Sequence, residues 1–158
     1  MVAVDQLSKW AVARELGPSK GNHRSEIVRD LLGFQYVENS GAAFGIFRGQ
    51  TVVLTVVAIL VVAAMIFSYR RAQHTTWQLT AGLGLLLGGA IGNLVDRIRL
   101  GYVVDFIAVS IWPKFNVADS AITIGVLLIA WHAFAHDLSS ESNVELVSRT
   151  ALDRDTAP

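Results

Sequence analysis

The chain has 158 residues, 53% of them apolar, with 13 basic and 13 acidic side chains that balance to zero. No basic patch is dense enough for nucleic acid, and the lack of cysteine excludes disulfides, thiolate chemistry and Cys-ligated metals. Length alone would suit a soluble domain, but no charge falls between Arg48 and Arg70, between Arg71 and Asp96, or between Asp119 and Asp137. A helix needs about 20 mostly apolar residues to cross a bilayer, so the chain reads as an all-α polytopic membrane protein.

Residues 1–14 read as a helix, either the end of a first span whose beginning is missing or an interfacial helix. The start lacks the charged region, apolar core and cleavage site of a secretory signal, so none is expected. Residues 15–50 open on a turn at Gly17, Pro18, Gly21 and Asn22. SEIVRDLLGFQYVEN then carries β-branched and aromatic residues in short runs, which predicts one or two short strands in a small extramembrane subdomain.

Spans follow at 51–69, 77–95 and 116–135. Gly82, Gly84, Gly88, Gly89 and Gly92 give the second a smooth face suited to close helix approach, and Trp77 suits a headgroup-level anchor. Residues 96–115 are too short and too charged to cross; they leave the membrane at Asp96-Arg97 and return by Pro113. Residues 137–158 read as a disordered tail. Counting basic residues leaves the orientation ambiguous, because Arg70 and Arg71 oppose the more numerous cations of residues 14–50. With one partial and three complete spans, the loops holding Asn39 and Asp105 share one side.

Ionised carboxylates in hydrocarbon are costly and mark functional sites. Asp105 and Asp119 lie on the same side of the membrane. Two carboxyls held close share a proton, so one can take a proton from water while the other donates to a carbonyl oxygen. Asn116 or Asp119 would also serve as a helix N-cap. Asp96-Arg97 fits a structural pair or a substrate contact equally well, and Asn93, one turn before Arg97, would face the same cleft. By spacing alone Asp5 and Lys9 are a surface ion pair of small value. The small-residue turn of Asn39, Gly41, Ala42, Phe44 and Gly45 passes for an ordinary loop. His132 and His136 share a helix face at the far end of their span, which suits an interfacial role better than metal ligation.

The motifs DQLSKW at residues 5–10, ENSGAAFG at 38–45, GNLVDRIRLGYVVDFI at 92–107 and FNVADSAITIG at 115–125 together resemble bacterial lipoprotein signal peptidase, or signal peptidase II. The likeness runs from Asp5 to about Phe134. It implies a four-transmembrane-helix bundle, its first helix truncated here, with a small extracytoplasmic β-subdomain and cytoplasmic termini. The implied location is the bacterial cytoplasmic membrane, with the active site toward its outer leaflet. The implied activity is aspartic endopeptidase cleavage of diacylglyceryl-modified prolipoproteins, just before the lipidated cysteine. The catalytic pair would fall on Asp105 and Asp119. Supporting residues would fall on Asp5, Lys9, Asn39, Gly41, Asn93, Asp96, Arg97 and Asn116. No cofactor or metal is expected; membrane lipids, a monomeric state and inhibition by globomycin-type peptides are. Because the family opens with a full first span, a start assigned too far downstream would explain its loss. Two other readings are a proton-coupled transporter using the aspartates as a relay, and a phosphotransferase holding magnesium on Asp96, Asp105 and Asp119.

Overall fold

The computed structural model describes residues 1–21, 23–41, 47, 49–71 and 76–135. Helix α1 (Val2–Leu16) is followed by a 3-10 turn at Pro18–Lys20 and by strands β1 (Arg24–Val28) and β2 (Leu32–Asn39). Helices α2 (Thr51–Arg71) and α3 (Trp77–Leu100), strand β3 (Val103–Val109) and helix α4 (Val117–Ala135) complete the order. The calls at Asn22, at Ala42, Phe44 and Gly45, at His136 and over 137–158 lie outside the described residues.

Helices α3 and α4 are long and apolar enough to cross a membrane. Only about a fifth of the apolar stretch of each is buried, unlike a core helix of a water-soluble domain. Residues Thr51–Phe67 of α2 form a further apolar helical stretch. In α1 the usual polarity is reversed. Val4, Leu7 and Trp10 are about 60% exposed, while Asp5 and Lys9 are buried. A helix with its charges inward and its apolar side chains outward suits a lipid surround.

Of the one or two strands expected after the first turn, two form, β1 and β2. Helix α3 does not end with the expected span at Val95. Helix α3 runs on to Leu100, because Asp96 turns into the protein and Ile98 faces outward. It stops at Gly101, whose φ of 83° is a left-handed cap that favours glycine. The β-branched run Val103–Val109 then becomes a third strand, antiparallel to β2, in a sheet ordered β1-β2-β3. Among the described residues the buried apolar side chains are Tyr36 on β2, Val103, Val104, Phe106 and Ala108 on β3, and Ala118 and Ala121 on α4.

The glycine face of α3 is narrower than the sequence suggested. A Cβ at Gly82, Gly88, Gly89 or Gly92 would meet another helix within 2.8 Å, so these four permit close packing. Gly84 faces open space and is not part of that seam. Trp77 is 72% exposed at the start of α3, as a surface anchor would be.

Candidate active site

The site is assembled where three helices meet the sheet. Asn116 precedes α4, and its side-chain oxygen accepts the Asp119 backbone N–H at 2.9 Å. Asp119 returns the contact, its carboxylate accepting the Asn116 backbone N–H at 3.2 Å. Both candidates for the cap are therefore used, in a reciprocal capping arrangement. The Asp5 carboxylate reaches across from α1 to accept the Ala118 N–H at 2.9 Å. Two carboxylates thus sit at the positive end of the α4 dipole.

Asp105 arrives on β3. The Asn116 side-chain amide donates to its Oδ1 and the Asn39 amide to its Oδ2, each at 2.8 Å. The Asn93 amide donates to Asp119 Oδ1, also at 2.8 Å. Asn116 therefore touches both aspartates, one through its amide and one through its backbone. Burial pushes the Asp105 carboxyl up to about 6; the Asn39 bond pulls down against that, and the nearby Asp119 charge pushes further up.

Behind the aspartates lies a buried cation. Lys9 Nζ is 2.9 Å from Asp5 Oδ2 and 2.8 Å from Asp96 Oδ2, and it donates to Asn93 Oδ1 at 2.9 Å. Lys9 and Asp5 are only 3% and 0% exposed, which overturns the reading of a surface pair. Spacing correctly put them one turn apart, but in lipid the charged face of α1 turns inward. Asp96 also accepts the Val104 N–H and the Gln6 amide, tying β3 and α1 to α3. Asp96 is only 3% exposed and turns toward Lys9, whereas Arg97 lines the open cavity and donates to the Gly41 carbonyl at 3.4 Å. Asn93 and Arg97 face one cleft, as their spacing predicted.

Sequence reasoning passed over Gln6, although it lies inside the motif between Asp5 and Lys9. Its amide donates to Asp96 Oδ1 at 2.8 Å and to the Gly92 carbonyl at 3.2 Å. A polar residue on the buried side of a lipid-facing helix was the available signal. His132 lies beside Thr76, at the end of the bundle where α3 begins and α4 finishes, away from the aspartates. Among the described residues no three His, Cys, Asp or Glu side chains converge as a metal site. Asp96, Asp105 and Asp119 are not gathered round one point, because Asp96 faces Lys9.

The two remaining aspartates open onto a cavity of about 950 Å³. Asn39, Gly41, Asn93 and Arg97 line its polar side, and Val37, Trp112, Pro113, Phe115, Ile122 and Ile124 its apolar side. Such a shape can take an extended peptide backbone beside an apolar group.

Residues 1–135 match the family model described as signal peptidase (SPase) II. The lipoprotein signal peptidase of Moorella thermoacetica is 41% identical over 131 residues, which are 83% of this chain and 85% of that protein. That of Geobacillus kaustophilus is 41% identical over 140 residues, covering 85% and 88%. A solved structure described as a bacterial membrane enzyme superposes with a TM-score of 0.77 at 32% identity, covering 88% of this chain and 85% of that one. On sequence and on fold alike, the chain belongs to the signal peptidase II family.

Proposed function

We propose that Asp105 and Asp119 are the catalytic dyad of this lipoprotein signal peptidase. One carboxylate takes a proton from a bound water, whose oxygen attacks the scissile carbonyl carbon. The partner carboxyl gives its proton to the carbonyl oxygen. Collapse of the tetrahedral intermediate then returns a proton to the departing amine. The observation that carries the reading is the pair's position: both carboxylates open into one cavity and are linked through Asn116. Asn39, Asn93 and Asn116 direct amide donors at the two acids, and Lys9, itself held by Asp5 and Asp96, donates to Asn93 from behind. Arg97 clamps the Gly41 backbone at the rim.

The substrate is a diacylglyceryl-modified prolipoprotein, cut before its lipidated cysteine. The apolar side of the cavity, continuous with the lipid-facing surface of α4 at Ile124, leaves its acyl chains in the bilayer. One membrane-embedded unit of four spans, working as a monomer, would hold this site toward the extracytoplasmic side of the cytoplasmic membrane. Globomycin-type peptides would occupy the same cavity. A proton relay would need carboxylates spread through the bilayer depth, and here they cluster at one end.

Asp105→Asn and Asp119→Asn each keep the shape of the acid but cannot exchange its proton. Each variant is expected to insert normally and to cleave a lipidated precursor at least about a thousandfold more slowly. Turnover near the wild-type rate in either would reject the dyad.

A further inference from the structure

The pairing of β2 with β3 slips by one residue. Leu32, Gly33 and Phe34 pair with Val109, Ala108 and Ile107. Val37, Glu38 and Asn39 pair with Asp105, Val104 and Val103. Between the two blocks Gln35 and Tyr36 face the single residue Phe106, which is a β-bulge. Its consequence is one of parity. If the register of the first block continued, Tyr36 would lie opposite Asp105 and Asn39 opposite Tyr102. Side chains alternate across a strand, so Asn39 would then project from the other face of the sheet. With the slip, Asn39 is diagonal to Asp105 on one face and donates to it at 2.8 Å.

Something must hold the extra residue in place. Tyr36 is only 5% exposed, and its hydroxyl lies 3.2 Å from the Tyr102 hydroxyl and 3.3 Å from Glu38 Oε1. Glu38 alternates with Asn39 along β2, so these contacts lie on the face turned away from Asp105. Tyr102 sits in the turn between α3 and β3, so the link fastens the slipped part of β2 to the segment that delivers Asp105.

We infer that the Gln35–Tyr36 bulge, locked by the Tyr36 and Tyr102 hydroxyls, is the device that turns Asn39 onto the face of Asp105, making Tyr36 and Tyr102 positioning residues for the reaction. The inference rests on Asp105 belonging to the dyad. The charges facing Asp105 are Asp119 from α4, Lys9 from α1 and Arg97 from α3. All three stay in place when a tyrosine loses its hydroxyl, so a change in the titration of Asp105 would report Asn39.

The test is the pH profile of kcat for cleavage of a lipidated precursor by purified full-length protein. Tyr36→Phe and Tyr102→Phe keep the rings and remove the lock. Losing the Asn39 donor disfavours the Asp105 anion, so the limb set by Asp105 moves to higher pH, by roughly half to one pH unit. KM is expected to stay within about twofold. Asn39→Ala is expected to move the same limb, and adding Tyr36→Phe to it to move the limb no further. A wild-type profile in both tyrosine variants, or shifts that add to that of Asn39→Ala, would overturn the inference. Asp105→Asn, run alongside, separates the outcomes: turnover there discards the dyad, whereas an inactive Asp105→Asn beside unshifted tyrosine variants discards only the positioning role.

Discussion

Lys9 directs its ammonium group at Asp5, Asp96 and Asn93, and truncating it would leave two buried carboxylates without a cation. Breaking a buried pair by removing one partner costs about 3–5 kcal/mol, far more than a surface pair is worth. Lys9→Met is therefore expected to lose about that much unfolding free energy in detergent, while Lys20→Met, on the exposed turn, stays within about 0.5 kcal/mol. Equal stability of the two variants would show that the cluster is not held as described. At this scale the convergence of Asp105 and Asp119 was legible, since a carboxylate in an apolar sequence needs a reason. The burial of Asp5 and Lys9 and the part played by Gln6 were not. Spacing places residues on a helix face without saying whether that face meets lipid or protein.

Among the elements, α3 and α4 approach closely because glycines line their seam. A Cβ at Gly89 would stand 2.5 Å from the Ala118 carbonyl oxygen, a backbone atom that cannot swing aside. Gly89→Ala is expected to destabilise by about 1–3 kcal/mol through overpacking, whereas Gly84→Ala meets nothing and is expected to be neutral or mildly stabilising. Thermal unfolding of the two variants in one detergent compares them directly. Apolar runs and turn residues made the helices and the first two strands readable. The third strand was hidden, because Val103–Val109 is too short to be told from a re-entrant segment until its partner is known. The bulge was hidden for a related reason: register belongs to a pair of strands, and neither carries it alone.

For the whole molecule, the sheet and the dyad share one end of the bundle. The Thr51 hydroxyl donates to the Ser40 carbonyl, so α2 begins beside the sheet, and at 1.5 Å per residue Arg70 lies about 30 Å away. The proposed orientation puts these ends on opposite sides of the membrane. The chain has no cysteine of its own, which makes single labels clean. Lys20→Cys and Ser110→Cys are expected to react with an impermeant maleimide on intact spheroplasts, and Arg70→Cys only after lysis. Labelling of all three before lysis would contradict the orientation. The inward-facing charges of α1 also bear on how such a protein is made. During synthesis α1 leaves the ribosome well before α3, so Asp96 and Asn93 do not yet exist when it meets the lipid. Asp5 and Lys9, one turn apart, already cancel each other within the nascent helix. The segment can wait in the bilayer as a neutral hairpin of charge, and exchange that private pairing for a shared one when its later neighbours arrive.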